Sequence, residues 1–141
     1  MKVIDAEGAV LGRLASSLAK SLLNGEEIIV VNAEKAIIIG DPDEVIMRYL
    51  TRRRLNHPRK GPHFPRMPDR IVKRTVRGML PHKQPRGRDA LHRLKVYMGV
   101  PREYAKSKTQ QVAVSMRPAP EKFITLNRVA MELGAKVGDI E

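Results

Sequence analysis

The chain has 141 residues, the length of one ordinary domain, and it contains no cysteine. The missing cysteines exclude disulfides, thiolate nucleophiles and cysteine-ligated zinc, and they fit a reducing cytoplasm. Lys and Arg number 27 against 15 Asp and Glu, and this net charge of +12 indicates a polyanionic partner. No apolar run approaches the roughly 20 residues that span a bilayer and no export signal is evident, so we expect a soluble protein without a membrane partner.

The first third of the chain is acidic and has the pattern of compact α/β structure. A short strand is predicted at 2–6, and the leucine spacing of 10–25 predicts a helix that ends at Asn24 and Gly25, a favourable C-cap pair. The runs EIIVVNA (27–33) and KAIIIG (35–40) are continuous β-branched stretches, typical of strands buried on both faces of a helix-covered sheet. We therefore expect a three-layer α/β core.

A second helix is predicted after this core segment. Asp41 can cap it, Pro42 suits the first helical position, and the helix runs to Arg54. The following segment, 55–68, combines four prolines with a succession of basic residues. Because proline interrupts helices and sheets, we expect an extended basic arm outside the core.

Residues 69–80 predict an amphipathic helix. At about 100° per residue, one face carries Ile71, Val72, Thr75, Val76 and Met79. The opposite face carries four cations, Arg70, Lys73, Arg74 and Arg77. Pro81 ends this helix, and 81–88 is predicted to be a basic loop.

The last third of the chain is close to neutral. Residues 110–118 predict a strand, and 125–134 predict a terminal helix with Thr125 as its cap and Gly134 past its end. We treat 1–141 as one domain whose core comprises 1–54 and 69–134.

Nucleotide binding is weakly indicated. The glycines of EGAVLGR (7–13) match neither of the phosphate-binding motifs G-x-G-x-x-G and G-x-x-x-x-G-K-S/T, so Gly8 is better explained by a turn and Gly12 by close packing.

Catalytic and metal sites find no support in the sequence either. The serines of the first helix lack a nucleophile motif, and capping explains the acidic residues near 41–44. All four histidines, at 57, 63, 82 and 92, lie in a cationic region that disfavours a bound dication.

The positive charge is concentrated in the middle of the chain. Residues 48–108 hold nineteen Lys and Arg, mostly Arg, against three Asp and Glu. Such an excess is self-repelling unless a polyanion compensates it, and Arg binds phosphate bidentately and stacks on bases. No DNA-binding motif is visible and aromatic residues are few, so we expect readout of the shape and phosphates of a folded RNA.

Five stretches of this sequence resemble successive blocks of the ribosomal large-subunit protein thirteen family. They are VIDAEGAVLGRLAS (3–16), VVNAEKAIIIGD (30–41), RTVRGMLPHK (74–83), RGRDAL (86–91) and LKVYMGVP (94–101). They occur in the family's order, and the succession of the last three is highly specific. The connection LTRRRLNHPRKGPHFPRMP (50–68), together with the lack of a longer C-terminal extension, resembles archaeal members of the family.

The resemblance implies a three-layer α/β/α core with a mainly parallel four-stranded sheet. It also implies a protein of the cytoplasmic ribosome that binds large-subunit rRNA beside neighbouring large-subunit ribosomal proteins and takes part early in subunit assembly. No catalytic residue, metal, cofactor or small-molecule substrate is implied. An RNA-binding regulator outside the ribosome and an RNA-directed enzyme are the alternatives.

Thirteen residues are candidate RNA contacts. The family's basic block corresponds to Arg74, Arg77, Lys83, Arg86 and Arg88, aimed by a turn formed by Gly78, Met79, Leu80 and Pro81. The charge pattern of the arm and of the two helices that flank it adds Arg52, Arg53, Arg54, Arg59, Lys60, Arg66, Arg70 and Lys73.

Overall fold

The computed structural model describes residues 1–118 and 120–137. Position 119, within the predicted core 69–134, and residues 138–141 of the predicted domain lie outside the described residues. The strands are β1 (Lys2–Asp5), β2 (Ile28–Val31), β3 (Ile37–Ile39), β4 (Leu94–Val96), β5 (Thr109–Gln110) and β6 (Phe123–Thr125). The α-helices are α1 (Leu11–Leu23), α2 (Pro42–Arg54), α3 (Pro68–Gly78), α4 (Pro85–His92) and α5 (Leu126–Glu132).

The main sheet has four strands in the order β4-β2-β1-β5, and every neighbouring pair is parallel. In the central pair of strands, β1 and β2, Val3 lies opposite Ile29. The parallel sheet and the five helices agree with the expected three-layer α/β fold. The continuous β-branched run of β2 is fully buried, as its sequence predicts.

The two faces of this sheet are covered unequally. On one face, buried side chains of α1, α3 and α4 form a large apolar cluster with Ile4, Ile28 and Val30. On the other face, Val3, Ile29 and Val31 are covered by the half-buried rings of Tyr97 and Tyr104, in a segment whose only regular structure is one 3-10 turn (Arg102–Tyr104). The helical layer, which includes α3, therefore carries most of the core.

The predicted place of 35–40 in the main sheet is wrong. β3 pairs antiparallel with β6 in a separate two-stranded sheet, and only Ile37 of the three isoleucines is buried. Only 32–36 separates β2 from β3, whereas a parallel neighbour in the same sheet requires a crossover of about a dozen residues or more. The short connection therefore forces β3 out of the parallel sheet.

The strand predicted at 110–118 is also mostly wrong. β5 ends at Gln110, and Ala113–Ser115 forms a 3-10 helix in which Val114 is exposed. The chain turns here because it packs across the start of α1: Val10 donates its amide hydrogen to the Ser115 carbonyl, and Val112 packs against the large core cluster. Tertiary contacts have overridden the β propensity of the two valines.

Three helices begin with proline, at Pro42, Pro68 and Pro85. Proline suits this position because its missing N–H would have no partner in the first helical turn. The prediction for α2 is confirmed, since Asp41 caps the helix by accepting a hydrogen bond from the Asp43 amide. The predicted arm and loop are each too long, because Pro68 belongs to α3 and 85–88 form the first turn of α4.

The predicted apolar face of α3 is correct except at its end. Ile71, Val72 and Val76 are buried, but Met79 is 44% exposed and Leu80 is buried in its place. The helix ends at Gly78, so the helical periodicity no longer applies at Met79.

At the C-terminal side of the chain, α5 begins after Thr125, which accepts a hydrogen bond from the Arg128 amide, as predicted.

Candidate nucleic-acid interface

The outer face of α3 borders an open cleft of about 330 Å³. All four predicted cations of this helix line it, together with His63 and Pro65 of the arm and Leu91 of α4. Arg70, Lys73 and Arg77 are exposed, while Arg74 is half buried. We call this the α3 cleft. Four cationic side chains around one concave surface suit the binding of a phosphate backbone.

The arm does not extend into solvent along its whole length. Phe64, near its middle, is half buried against the core, and its ring meets that of Tyr49 edge to face with centroids 5.6 Å apart. Arg53 donates a hydrogen bond to the Phe64 carbonyl at 2.7 Å, and Arg74 donates one to the His63 carbonyl at 3.2 Å. The arm is therefore docked on α2 and α3 by one aromatic ring and two guanidinium groups.

Arg52 and Arg74 both lie against the aromatic pair. The Arg74 guanidinium carbon is 4.7 Å from the Phe64 ring centroid, and that of Arg52 is 5.5 Å from the Tyr49 centroid and 6.0 Å from the Phe64 centroid. A second cleft of about 310 Å³, the aromatic cleft, is lined by Arg52, Leu55, Pro62, Phe64 and Arg74. Cation–π contact explains how these charges tolerate apolar surroundings.

The charge of Arg74 carries an electrostatic cost. Burial lowers the pKa of its guanidinium below the ordinary value, and repulsion from Arg77 and Arg52 lowers it further. Burial also raises the pKa of Tyr49 above its ordinary value, against the opposing influence of Arg52 and Arg48. The direction for Arg74 reflects burial and the crowding of like charges, whereas the direction for Tyr49 reflects burial, which outweighs the nearby arginines.

A third cleft, of about 630 Å³, shares His63, Pro65 and Arg70 with the α3 cleft and brings in the C-terminal segment. Arg53, Arg66 and Arg70 line it with residues 134–136, among them Lys136. We call it the C-terminal cleft. The sequence prediction missed Lys136, because it lies in a neutral segment far along the chain from the arm. His63, which is not among the thirteen candidates, borders both this cleft and the α3 cleft.

Six of the thirteen candidates do not line any of these clefts. Arg54 lies at the end of α2, and Arg59 and Lys60 lie on the exposed turn of the arm. Lys83 is exposed in the turn between α3 and α4, and Arg86 and Arg88 are exposed on the first turn of α4. The structure brings together the other seven, which we call the cleft cations: Arg52, Arg53, Arg66, Arg70, Lys73, Arg74 and Arg77.

The turn before α4 is held by close backbone packing. Gly87 is buried, and a Cβ atom at this position would overlap the Pro81 carbonyl group and fall 2.9 Å from the His82 nitrogen. Gly12, predicted to be the close-packing glycine, has no atom within 4 Å of a Cβ position, and neither has Gly78. The position that requires glycine for steric reasons is therefore Gly87, in the sequence RGR (86–88).

Within the described residues, none of the candidate cations forms an ion pair with an acidic side chain. Across residues 1–118 and 120–137, the ion pairs are Lys2 with Glu26, Lys35 with Glu7 and Lys122 with Asp41, and none of these lysines belongs to the predicted interface. In the same ranges, no group of three or more His, Asp or Glu side chains is placed to hold a metal ion, and no helix is long and apolar enough to cross a bilayer. The interface charge is thus available to an external anion.

Comparisons with known proteins agree with the blocks noted in the sequence. Residues 1–103 match the family described as Ribosomal protein L13. The Large ribosomal subunit protein uL13 of Methanococcoides burtonii is 49% identical over 138 residues, covering 96% of this chain and 99% of the relative.

Other relatives bearing the same name come from Archaeoglobus fulgidus, with 52% identity over 94% of this chain and 86% of the relative, and from Methanocaldococcus jannaschii, with 49% identity over 96% and 99%. All three relatives are archaeal, as the 50–68 connection predicts, and they are named as ribosomal proteins and not as enzymes. The chain belongs to the ribosomal protein L13 family.

Proposed function

We propose that this protein is a structural constituent of the large ribosomal subunit that binds large-subunit rRNA through the cleft cations and organises it early in subunit assembly. Its other partners are neighbouring large-subunit ribosomal proteins, and it acts without a small-molecule substrate. The acidic first third of the chain supplies most of the α/β core, which holds the basic surface in place.

One observation carries this proposal: seven cations line three adjoining clefts around the arm and α3, and none has a carboxylate within 4 Å among the described residues. A solvated protein surface ordinarily mixes charges of both signs. Unpaired arginines on a concave surface instead fit phosphates, whose binding releases counterions and compensates the mutual repulsion.

Lys73 and Arg77 are the cleft cations most suited to bind RNA directly. Both are exposed on α3, and neither side chain makes a hydrogen bond or ion pair within the described residues. Arg53 and Arg74, by contrast, donate hydrogen bonds to carbonyl groups of the arm. RNA affinity and arm docking can therefore be tested with different substitutions.

The test compares two double variants for binding to purified large-subunit rRNA. Lys73→Gln with Arg77→Gln removes two free cations of the α3 cleft, and Arg13→Gln with Lys20→Gln removes two exposed cations of α1 as a matched control. We expect the first variant to lose about a hundredfold or more in affinity, since each of the two charge-assisted contacts contributes about 1.5 kcal/mol or more. Equal affinities of the two variants would contradict the proposed interface.

Assembly is tested separately by sedimentation. The wild-type protein should remain with large subunits through a high-salt wash, whereas the Lys73→Gln, Arg77→Gln variant should be released to the top of the gradient. A wild-type protein found mainly outside the subunits would favour a regulatory role over a structural one.

A further inference from the structure

The aromatic cleft contains two guanidinium groups against one ring. Arg52 comes from the last turn of α2 and Arg74 from the middle of α3, and the Phe64 ring of the arm lies against both, 6.0 Å and 4.7 Å from their guanidinium carbons. Leu55 and Pro62 complete the cleft and make one side of it apolar. Two helices and the arm therefore converge on a single cationic cavity.

Within the part of the chain that the structure describes, no acidic group pairs with these two arginines. The ion pairs in the described ranges lie elsewhere, and the acidic residues of the segment 48–108 are Asp69, Asp89 and Glu103, none of which lines this cleft. The half-burial of Arg74 and the repulsion from Arg77 and Arg52 all lower its pKa, so the folded protein disfavours the charged form of this side chain. An anion in the cleft would remove this repulsion.

We propose that a phosphate group binds in the aromatic cleft between Arg52 and Arg74 and locks the arm onto α2 and α3. The inference deepens the proposed function, on which it rests for the natural ligand: a phosphodiester of the RNA backbone. The chemistry recognised is the pair of non-bridging phosphate oxygens, which match the planar donor fork of arginine and are also present in free phosphate.

Such a site couples RNA binding to the position of the arm. The Phe64 ring of the arm lies against both guanidinium groups and holds them beside the cleft. A phosphate that contacts both therefore binds more tightly while the arm is docked, and it stabilises the docked state by mass action. The exposed turn of the arm carries Arg59 and Lys60, and its backbone is closed by the Gly61 amide, which donates to the His57 carbonyl at 2.9 Å. Docking thus fixes where two further cations are presented.

The first test titrates the full ¹⁵N-labelled chain with inorganic phosphate at constant ionic strength, with chloride as the reference anion. We expect saturable shifts of the Nε–H resonances of Arg52 and Arg74, and much smaller ones for Arg48, which is exposed on α2 and does not line the cleft. At a phosphate concentration ten times the dissociation constant, hydrogen exchange of the Gly61 amide should slow about tenfold. Unsaturable shifts, or equal shifts at Arg48, would overturn the proposal.

The second test uses matched variants. Arg52→Gln removes one guanidinium group without touching the hydrogen bonds that Arg53 and Arg74 make to the arm, and Arg48→Gln removes a cation from the same helix. The first variant should lose the phosphate-dependent slowing of Gly61 exchange, and the second should keep it. If phosphate slowed Gly61 exchange in Arg52→Gln as much as in the wild type, the anion would bind at another place and the proposal would be wrong.

A third test replaces phosphate by a short single-stranded RNA. If the Nε–H resonances of Arg52 and Arg74 shift at a lower concentration of RNA than of phosphate, the ligand is the backbone phosphodiester. If they respond to phosphate and not to RNA, the cleft is a site for a free anion. Failure of both anions, with rRNA binding that still depends on Lys73 and Arg77, would overturn this inference and leave the proposed function intact. A response to phosphate by a protein that does not bind rRNA would support the anion site and contradict the proposed function.

Discussion

The two basic connections that flank α3 are held in different ways. The connection from α2 to α3, 55–67, is anchored by side chains, through the ring of Phe64 and the guanidinium groups of Arg53 and Arg74. The connection from α3 to α4, 79–84, is anchored by its backbone, which packs against Gly87 and closes on itself from the Gln84 amide to the Pro81 carbonyl.

This difference determines what a basic residue does in each connection. Around the first connection, several arginines hold the arm, so their charge serves structure as well as any ligand. At the second connection, Lys83, Arg86 and Arg88 are exposed and free of the packing that fixes the turn. A count of positive charges therefore overstates the number of cations free for a ligand on the helices beside the arm, where Arg52, Arg53 and Arg74 are engaged, and it describes the second connection better.

The largest effect is expected from Gly87→Ala, which attacks the backbone-anchored connection. The added methyl group would overlap the Pro81 carbonyl, so α4 or the turn must move. We expect a loss of about 2–3 kcal/mol in the free energy of unfolding, measured by chemical denaturation.

The control for this change is Gly78→Ala at the end of α3, where a methyl group meets no atom within 4 Å. This helical position should be neutral or gain up to about 1 kcal/mol, because alanine favours helix more than glycine does. A similar loss at both glycines would show that the turn is not held by close packing at Gly87.

A smaller effect is expected from Phe64→Ala, which attacks the side-chain-anchored connection. Phe64 is only half buried, so we expect about 1–2 kcal/mol of destabilisation, together with faster hydrogen exchange in 57–66. Phe64→Leu keeps apolar contact but loses the aromatic edge and both cation–π contacts, and it should fall between the alanine variant and the wild type. If exchange in the arm were unchanged in Phe64→Ala, the ring would not be its anchor.

The smallest effect concerns the stability of the folded protein at alkaline pH, through Tyr49, whose ring contacts that of Phe64. Because burial raises the pKa of Tyr49, the folded state retains the phenolic proton more tightly than the unfolded state. The stabilisation is present below the unfolded pKa of about 10 and is lost as the pH rises above it.

Denaturation at a series of pH values should therefore show a steeper alkaline decline for the wild type than for Tyr49→Phe, which has no proton to lose at this position. Parallel declines would mean that ionisation of Tyr49 does not contribute to the loss of stability.

The helices were predictable to different degrees. The capping of α2 by Asp41 and of α5 by Thr125, and the buried face of α3, follow from local sequence rules and are confirmed. The misplacement of β3 was avoidable, since five residues cannot form a parallel crossover. The short β5 was not, because its end is set by contacts with the start of α1.

The candidate site shows the same limit. The cationic face of α3 follows from helical periodicity, but the anchoring role of Phe64 depends on Tyr49 and Arg74, which lie on two different helices. Lys136 joins the C-terminal cleft only through the tertiary fold. The need for glycine at position 87 similarly arises from a backbone contact that no helical pattern reveals.

The salt dependence of rRNA binding tests the proposed interface most directly. Affinity for large-subunit rRNA would be measured between 50 and 200 mM salt for the wild type and for the Lys73→Gln, Arg77→Gln variant. If both side chains neutralise phosphates, the logarithmic slope of the variant should be shallower by about 1.4 to 1.8, since each neutralised phosphate contributes about 0.7 to 0.9. Equal slopes and equal affinities would contradict binding of rRNA phosphates by the exposed face of α3.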